Sequence, residues 1–435
     1  MGQRFFYSWQ KITKERQMAG HPVNNKLEAT TDMWRISQQC FADNIRSEMT
    51  LPDKVQLNDI TLREGRQLPG VSLTRDQVLS IADALVESGV TMVQMHHDDP
   101  SEMEEVKKRF PHVLIDALVH PTAVLNPELA KPEIDMNYDH GADYCSLAFS
   151  FSEHQMCLFE SMAGKRISIE EAIDRAIGST AYAKAKAGKK RKVGCLIQDC
   201  TRIPIDRLAE VCSKLVDAGA DMICLDDING MAIYRVYTHV VREMKRRLPG
   251  TEIALHTHND IGMAAAALYA GLEGGADIIH TCVNGLGERA HIACLAEVAS
   301  VIQLYYGLDC GIKLDKMTSL SKLVSETMPW PMSDTMPFVG KTAFSHLVEV
   351  HYCVPDTEEG FWSYLCMKPE LFGNSQHNLL GHYSGPWAVR AKAKELGLVI
   401  PDGKEENVIE KLRSKIKDVR RQINDQEFIN ILENL

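Results

Sequence analysis

At 435 residues, the sequence is too long for one ordinary domain and fits an eightfold α/β barrel with an added module. A net charge of −11 and a pI near 5.8 argue against nucleic acid or an anionic membrane surface as the main partner. No apolar stretch is long enough to span a membrane, and the N-terminal residues lack a signal peptide's apolar core. Twelve cysteines without a Cys-x-x-Cys pair are typical of reduced, buried thiols. We therefore expect a cytoplasmic enzyme.

Residues 1–52 form an N-terminal extension, and a regular alternation of strands and helices follows. Eight strands are predicted, at Val55–Leu62, Thr91–His96, Val113–Val119, Tyr144–Ser150, Lys192–Asp199, Met222–Asp227, Glu252–His258 and Asp277–Val283. Eight helices are predicted, at Arg75–Ser88, Glu102–Arg109, Thr122–Leu129, Ile169–Ala187, Asp206–Ala218, Ile233–Arg247, Gly262–Gly271 and Ile292–Leu304. The strands are more uniformly apolar than alternating, which indicates a parallel sheet covered by helices. Eight such units favour a closed (β/α)8 TIM barrel over residues 53–310 rather than an open sheet.

The last quarter of the chain does not continue this alternation. Residues 311–342 contain Pro329-Trp330-Pro331 and several methionines, and we interpret them as a linker or lid. Residues 343–435 are predicted to form a C-terminal helical module, with helices at Pro386–Leu396 and Glu405–Asn424.

His256 and His258 are the strongest sign of chemistry in the sequence. On a strand, residues i and i+2 project to the same face, so the two imidazoles aim at one point. Two neutral imidazoles in a chain rich in carboxylates suggest a metal site. The alternative is a strand end where both histidines only hydrogen-bond to their neighbours.

Polar residues also follow the other predicted strands, at the barrel end where active sites of this architecture lie. They occur at residues 58–67, 94–99, 198–202, 226–229 and 284–289. Some of them are expected to be ion pairs that only close the rim of the barrel, and Glu288 with Arg289 is one candidate.

Three of these segments resemble the signatures of the DRE-TIM metallolyase superfamily: DITLREG at 59–65, HTHND at 256–260 and NGLGERA at 284–290. They are most similar to the branch that contains homocitrate synthase and isopropylmalate synthase. Beyond the barrel, three further segments resemble the downstream module of those synthases: AFSH at 343–346 and on to His351, PELFG at 369–373 after Tyr364, and LGHYSG at 380–385.

The resemblance implies a Claisen condensation of an acyl-CoA, for which acetyl-CoA is expected, with a 2-oxo acid. A divalent ion (Zn, Mn, Co or Mg) would be held by Glu64, His256 and His258. Arg63 would stabilise the enolate or alkoxide. His351 and Tyr364 would be the candidates for the base that removes the α-proton. The resemblance also implies a homodimer, since the module of one subunit commonly serves the barrel of its neighbour.

Departures from the family pattern concern the pocket of the 2-oxo acid. Ile228 replaces a hydroxyl residue, Pro204 a common serine and Gln94 a common glutamate, while Arg66 stands where glutamate is usual. The residues expected to bind substrate are Arg66, Gln67, Gln94, His96 and Arg202, with His97 beside them. Because Arg66 and the two histidines add donors, we expect a more anionic 2-oxo acid, such as oxaloacetate.

Two other classes of function remain open at this point. A metal-dependent retro-aldol or retro-Claisen lyase would use the same barrel and the same ions. A non-catalytic binding protein descended from a synthase would explain the altered pocket, although it would not need the metal-ligand set. An iron oxygenase shares the two-histidine, one-carboxylate ligands but nothing else in the sequence.

Overall fold

The computed structural model describes residues 29–95, 99–119, 126–163, 166–352 and 358–435, and its centre is a closed parallel barrel. The strands are β1 Gln56–Asp59, β2 Met92–Met95, β3 Leu114–Val119, β4 Tyr144–Ser150, β5 Lys192–Gln198, β6 Met222–Asp227, β7 Glu252–Thr257 and β8 Ile278–Thr281. They are hydrogen-bonded in chain order, and β8 pairs with β1 to close the ring. The predicted (β/α)8 barrel is therefore confirmed.

Helices cover the outside of the barrel and continue beyond it. They are α1 Asp43–Arg46, α2 Arg75–Glu87, α3 Pro100–Arg109, α4 Pro127–Asp139, α5 Glu153–Ala163, α6 Ile169–Ala187, α7 Ile205–Asp217, α8 Tyr234–Arg247, α9 Ala264–Glu273, α10 Leu295–Val301, α11 Met317–Thr327, α12 Glu358–Phe361, α13 Pro386–Glu395, α14 Glu405–Val419 and α15 Asp425–Glu433. Within the described residues, no helix combines the length and the apolarity that crossing a bilayer requires.

The start of the helix predicted at Thr122–Leu129 lies outside the described residues, and from residue 126 the chain enters α4. The Asn126 side chain accepts a hydrogen bond from the Glu128 backbone N–H, and Pro127 occupies the first turn, so α4 begins there. It then runs to Asp139, past the internal Pro132. Helix α5 was not predicted at all.

Two layers of different polarity fill the inside of the barrel. Its lower part is apolar and is filled by side chains such as Met92, Met222, Cys224 and Ala254. Above them lies a fully buried polar layer formed by Asn58, Gln94, Asp116, Ser146 and His280. The polar layer supports the residues at the carboxyl ends of the strands.

The main core does not stop where the barrel does. Helix α11, inside the predicted linker, packs on α2 and on the loop after β8, and contributes Met317, Leu320 and Val324 to the same core. A second, smaller core lies in the C-terminal module and includes Val389, Val408 and Phe428, among others. Three helices, α13 to α15, surround it rather than the two that were predicted.

Candidate metal centre

Three buried side chains meet at the mouth of the closed barrel. His256 lies in β7, His258 follows directly after β7, and Glu64 lies in the turn after β1. One ligand atom from each residue lies within 4.8 Å of the other two. The sequence-based grouping of these three residues is reproduced by the fold.

The protonation of the three groups suits a cation. Burial, followed by the neighbouring imidazoles, holds the pKa of His256 well below its ordinary value. Burial also lowers the pKa of His258, so both rings keep a free lone pair. Burial alone would raise the pKa of Glu64, but Arg63, His258 and the Glu288 backbone N–H together hold it below its usual range.

Tight packing of the loop after β8 fixes the position of Glu64. The Glu288 backbone N–H donates to Glu64 Oε1 at 3.0 Å. A Cβ atom on Gly287 would lie 3.2 Å from Glu64 Cγ and 3.1 Å from Ile292 Cγ2, so a larger residue would displace the carboxylate. The glycine in this motif is thus explained by close approach of the backbone.

Arg289 joins the loops that follow β6, β7 and β8. Its guanidinium donates to Asp260 at 2.9 and 3.1 Å and to the Ile228 carbonyl. Glu288 Oε2, the partner expected from the sequence, lies 4.0 Å from Arg289 Nη1 and makes the weaker contact. Asp260 is therefore the closer partner of Arg289, and the expected pair with Glu288 is present at the longer distance.

The guanidinium of Arg63 is held from two sides. One nitrogen donates to Glu64 Oε2, and Nε donates to Gln94 Oε1 at 2.7 Å. Gln94 Nε2 in turn donates to Asp116 Oδ2 at 2.7 Å, and that oxygen also accepts from Asn58 Nδ2 at 2.9 Å. Residue 94 must therefore accept on one side and donate on the other, which an amide does and a carboxylate does not.

Gln94→Glu is expected to lower the free energy of unfolding by on the order of 2 kcal/mol, because two buried acceptors would then face each other. Asp116→Asn in the same chain should restore part of this loss, since the amide it introduces can donate to the new carboxylate but no longer accepts from Asn58 at that atom. Urea denaturation of the single and double variants measures the coupling. Gln39→Glu, on an exposed residue, is the matched control. Purely additive effects of the two substitutions would contradict the network.

Two of the other predicted substrate residues, Arg66 and Arg202, have partners within the protein. Arg66 pairs at 2.6 Å with the buried Glu102, so its charge is compensated within the protein. Arg202 lies 3.4 Å from Asp199, and Gln67 is exposed. His96 and its neighbour His97 lie outside the described residues. The compensation of Arg66 removes one of the reasons to expect an extra anionic group on the substrate.

His351 and Tyr364 lie together in the C-terminal module. Their rings stack, with centroids 4.1 Å apart, and His346 contacts both of them. They line a cavity of about 550 Å³ with Trp387 and Arg390, and the described lining residues all belong to the region after the barrel. Within one chain, the structure does not bring this pair to the metal ligands.

Three further polar residues face the barrel interior beside His256, and sequence reasoning assigned none of them to the site. They are Ser150, Gln198 and Asp226, at the ends of β4, β5 and β6. Asp226 Oδ1 lies 4.0 Å from His256 Nε2. Only the strand register reveals this proximity, because the three residues are far apart in sequence.

The residues present fit a divalent ion. One carboxylate and two imidazoles form a ligand set that transition metals accept. Nδ1 of His256 and Nδ1 of His258 have no hydrogen-bond partner within the described chain, although both rings are buried. A cation near these rings would compensate for burying them unpaired.

Comparison with known proteins agrees with this arrangement. Residues 54–324 match the HMGL-like family. The chain is 32% identical over 362 residues to homocitrate synthase of Sulfurisphaera tokodaii. The aligned region covers 83% of this chain and 76% of the relative. It is 32% identical over 392 residues to 2-isopropylmalate synthase of Methanocaldococcus jannaschii. That aligned region covers 89% of this chain and 73% of the relative.

Solved structures show the same fold at lower identity. The HMG-CoA lyase of Bacillus subtilis superposes with a TM-score of 0.55 at 19% identity, covering 65% of this chain and 97% of the lyase. The motif resemblance is confirmed by the family match and by the two synthases together. The chain belongs to the HMGL-like family.

Proposed function

We propose that this protein is an acyltransferase that condenses an acyl-CoA, acetyl-CoA first among the candidates, with a 2-oxo acid. The observation that carries the proposal is the buried group of Arg63, Glu64, His256 and His258 at the carboxyl end of the barrel. Relatives at 32% identity over most of the chain are named as synthases of this class. The free, buried cysteines, such as Cys195 and Cys224, fit a reducing compartment, and we propose the cytoplasm.

Each protein group has a role that its surroundings support. Glu64, His256 and His258 would hold the ion, with zinc, manganese or cobalt suited to this set and magnesium less so. When bound, a divalent ion polarises the ketone of the 2-oxo acid as a Lewis acid. Arg63 is kept cationic and is positioned by Gln94, so it can stabilise the negative charge that develops on oxygen.

The base would come from the C-terminal module of a second subunit. His351 and Tyr364 line their own cavity away from the metal ligands of the same chain. Several large apolar side chains of the same module are exposed, namely Val348, Val350, Tyr364, Tyr383 and Trp387, and two of them, Tyr364 and Trp387, line the cavity. At the barrel mouth, Ile261 and Met263 beside His258 are also exposed. Contact between these two surfaces in a homodimer would cover both and complete the site.

Substituting either His351 by Ala or Tyr364 by Phe should slow exchange of the acyl-CoA α-protons with D2O by about 100-fold or more, because the base or its partner is lost. Mass spectrometry of acetyl-CoA incubated with metal-loaded enzyme measures the rate. Tyr234→Phe, on an exposed tyrosine of α8 outside this module, is the matched control. Exchange at the original rate in both variants would place the base inside the barrel.

A lyase that cleaves a hydroxyacyl-CoA is the second candidate, supported by the fold shared with HMG-CoA lyases. At 19% identity this likeness shows the fold alone. The two functions are separated by a thiol-release screen with acetyl-CoA, a panel of 2-oxo acids and several divalent metals. Release of CoA that depends on a 2-oxo acid supports condensation. Cleavage of hydroxyacyl substrates, with no release of CoA that depends on a 2-oxo acid, would refute condensation.

A further inference from the structure

A row of polar side chains extends from the metal ligand His256 around the inside of the barrel. Ser150 pairs in register with Gln198, Gln198 with Asp226, and Asp226 with His256. Two residues before them on the same strands, the interior apolar cluster contains Ala148, Leu196, Cys224 and Ala254. Since alternate residues on a strand share a face, the side chains of the row also point inward. We call Ser150, Gln198 and Asp226 the β4–β6 row.

Polar atoms of this row are buried and have no partner within the described chain. Ser150 is 1% exposed and Asp226 is 4% exposed, yet Ser150 Oγ and Asp226 Oδ1 make no hydrogen bond to any residue that the structure describes. After β5, the same is true of Asp199 Oδ1 and Thr201 Oγ1. A buried polar group left unpaired costs about 1–3 kcal/mol, so four such atoms at one end of the barrel indicate a ligand that pairs with them.

The charges nearby restrict what that ligand is. The charged groups that act most strongly on Asp226 are the Arg63 guanidinium and the carboxyl groups of Glu64, Asp227 and Asp199, and Arg202 contacts Asp199 at 3.4 Å. Arg63 already donates to Glu64 and Gln94. Arg202 is likewise paired, with Asp199, so an additional anionic group against the β4–β6 row would face several carboxyl groups and only arginines that already have partners. A hydrocarbon there would leave the Ser150 and Asp226 oxygens unpaired.

An uncharged group that both donates and accepts hydrogen bonds avoids repulsion from the carboxyl groups and leaves no buried oxygen unpaired. We propose that the β4–β6 row binds the distal end of the 2-oxo acid, and that this end carries a hydroxyl or a carboxamide. The proposal rests on the proposed condensing function and names its substrate class. It replaces the expectation of a second anionic group, whose basis in Arg66 is removed by the Arg66–Glu102 ion pair.

The test uses metal-loaded, full-length protein and 2-oxo acids that differ only at the far end. The five-carbon series is 2-oxopentanoate, 5-hydroxy-2-oxopentanoate, 2-oxoglutaramate and 2-oxoglutarate, and the same end groups on a four-carbon chain cover a shallower pocket. In thiol release with acetyl-CoA, the hydroxyl or amide compound should exceed both the methyl and the carboxylate compound in kcat/KM by at least about tenfold. Calorimetric binding without acetyl-CoA should give the same order.

Variants of Asp226 test the row itself. Asp226→Leu should abolish the preference, whereas Asp226→Asn, which keeps hydrogen-bonding capacity at nearly the same shape, should retain most of it. Asp217→Leu, on an exposed aspartate at the end of α7, is the matched control. Elemental analysis should show that each variant keeps its ion. Loss of the ion from Asp226→Leu would instead make Asp226 part of the metal site and overturn the assignment.

The proposal and the proposed function fail in different ways. Thiol release that is fastest with the methyl or the carboxylate compound supports condensation and refutes the role of the row. If no 2-oxo acid releases thiol, condensation fails, and the binding order alone decides the row. Equal affinity for all end groups would show that the row holds only ordered water, and would overturn the inference.

Discussion

His256→Ala is expected to remove the bound divalent ion while the barrel stays folded. One of only two imidazoles in the site is lost, and the remaining carboxylate and imidazole cannot enclose a cation. Loss even of a supporting contact to a ligand typically weakens metal affinity by about 10–100-fold, so loss of a ligand itself should exceed about 100-fold. Condensing activity should fall below detection with it.

The measurement is elemental analysis after dialysis against zinc, manganese or cobalt, with circular dichroism to verify folding. His239→Ala is the matched control, since His239 is exposed on α8. It should keep one ion per subunit. A stoichiometric ion in folded His256→Ala would show that the cation lies elsewhere, and the assignment of Glu64 and His258 would fail with it.

Arg63→Lys should lower kcat by about 100-fold or more, with a smaller change in KM, because donors aimed at a developing oxyanion act mainly in the transition state. A lysine ammonium is a point charge and cannot donate to Glu64 and Gln94 in the fixed geometry of a guanidinium. Arg63→Ala should be at least as impaired.

Metal content must be measured in the same samples, because Arg63 also helps to keep the pKa of Glu64 low. Arg246→Lys, on an exposed arginine of α8 that pairs with Glu243, is the matched control. Unchanged kcat with a raised KM would assign Arg63 to substrate binding alone. Loss of the ion from Arg63→Lys would assign it to support of the metal ligand.

The parts of the site that depend on residues close together in the sequence could be predicted, and the parts that depend on contacts between distant strands could not. The His256–His258 pair follows from strand periodicity alone, and Glu64 could be added from the motif around it. The Arg63–Gln94–Asp116 chain could not, because it depends on which side chains share one level of the closed barrel. Gln94 was noted in the sequence only as an unusual residue.

The same difference between local and long-range contacts decides which parts of the fold could be predicted. The eight strands were predictable because each is a continuous buried run, and their ends moved by only a few residues. Helix α11 was missed because Pro329-Trp330-Pro331 suggested an irregular linker, whereas tertiary packing on the barrel stabilises the helix before it. Arg66 was expected to serve the substrate, since nothing in the sequence indicates that Glu102 on α3 meets it.

Helix α11 also bears on how the enzyme moves. Undocking it would expose Met317, Leu320 and Val324, together with Met328, which are all buried against the barrel. At about 1.5–3 kcal/mol for each side chain, the exposed state would cost roughly 6–12 kcal/mol. Such a state is populated by fewer than about one molecule in ten thousand at 25 °C, since each 1.4 kcal/mol is a factor of ten. During turnover α11 therefore stays packed on the barrel, and substrates must reach the mouth past the more exposed loops.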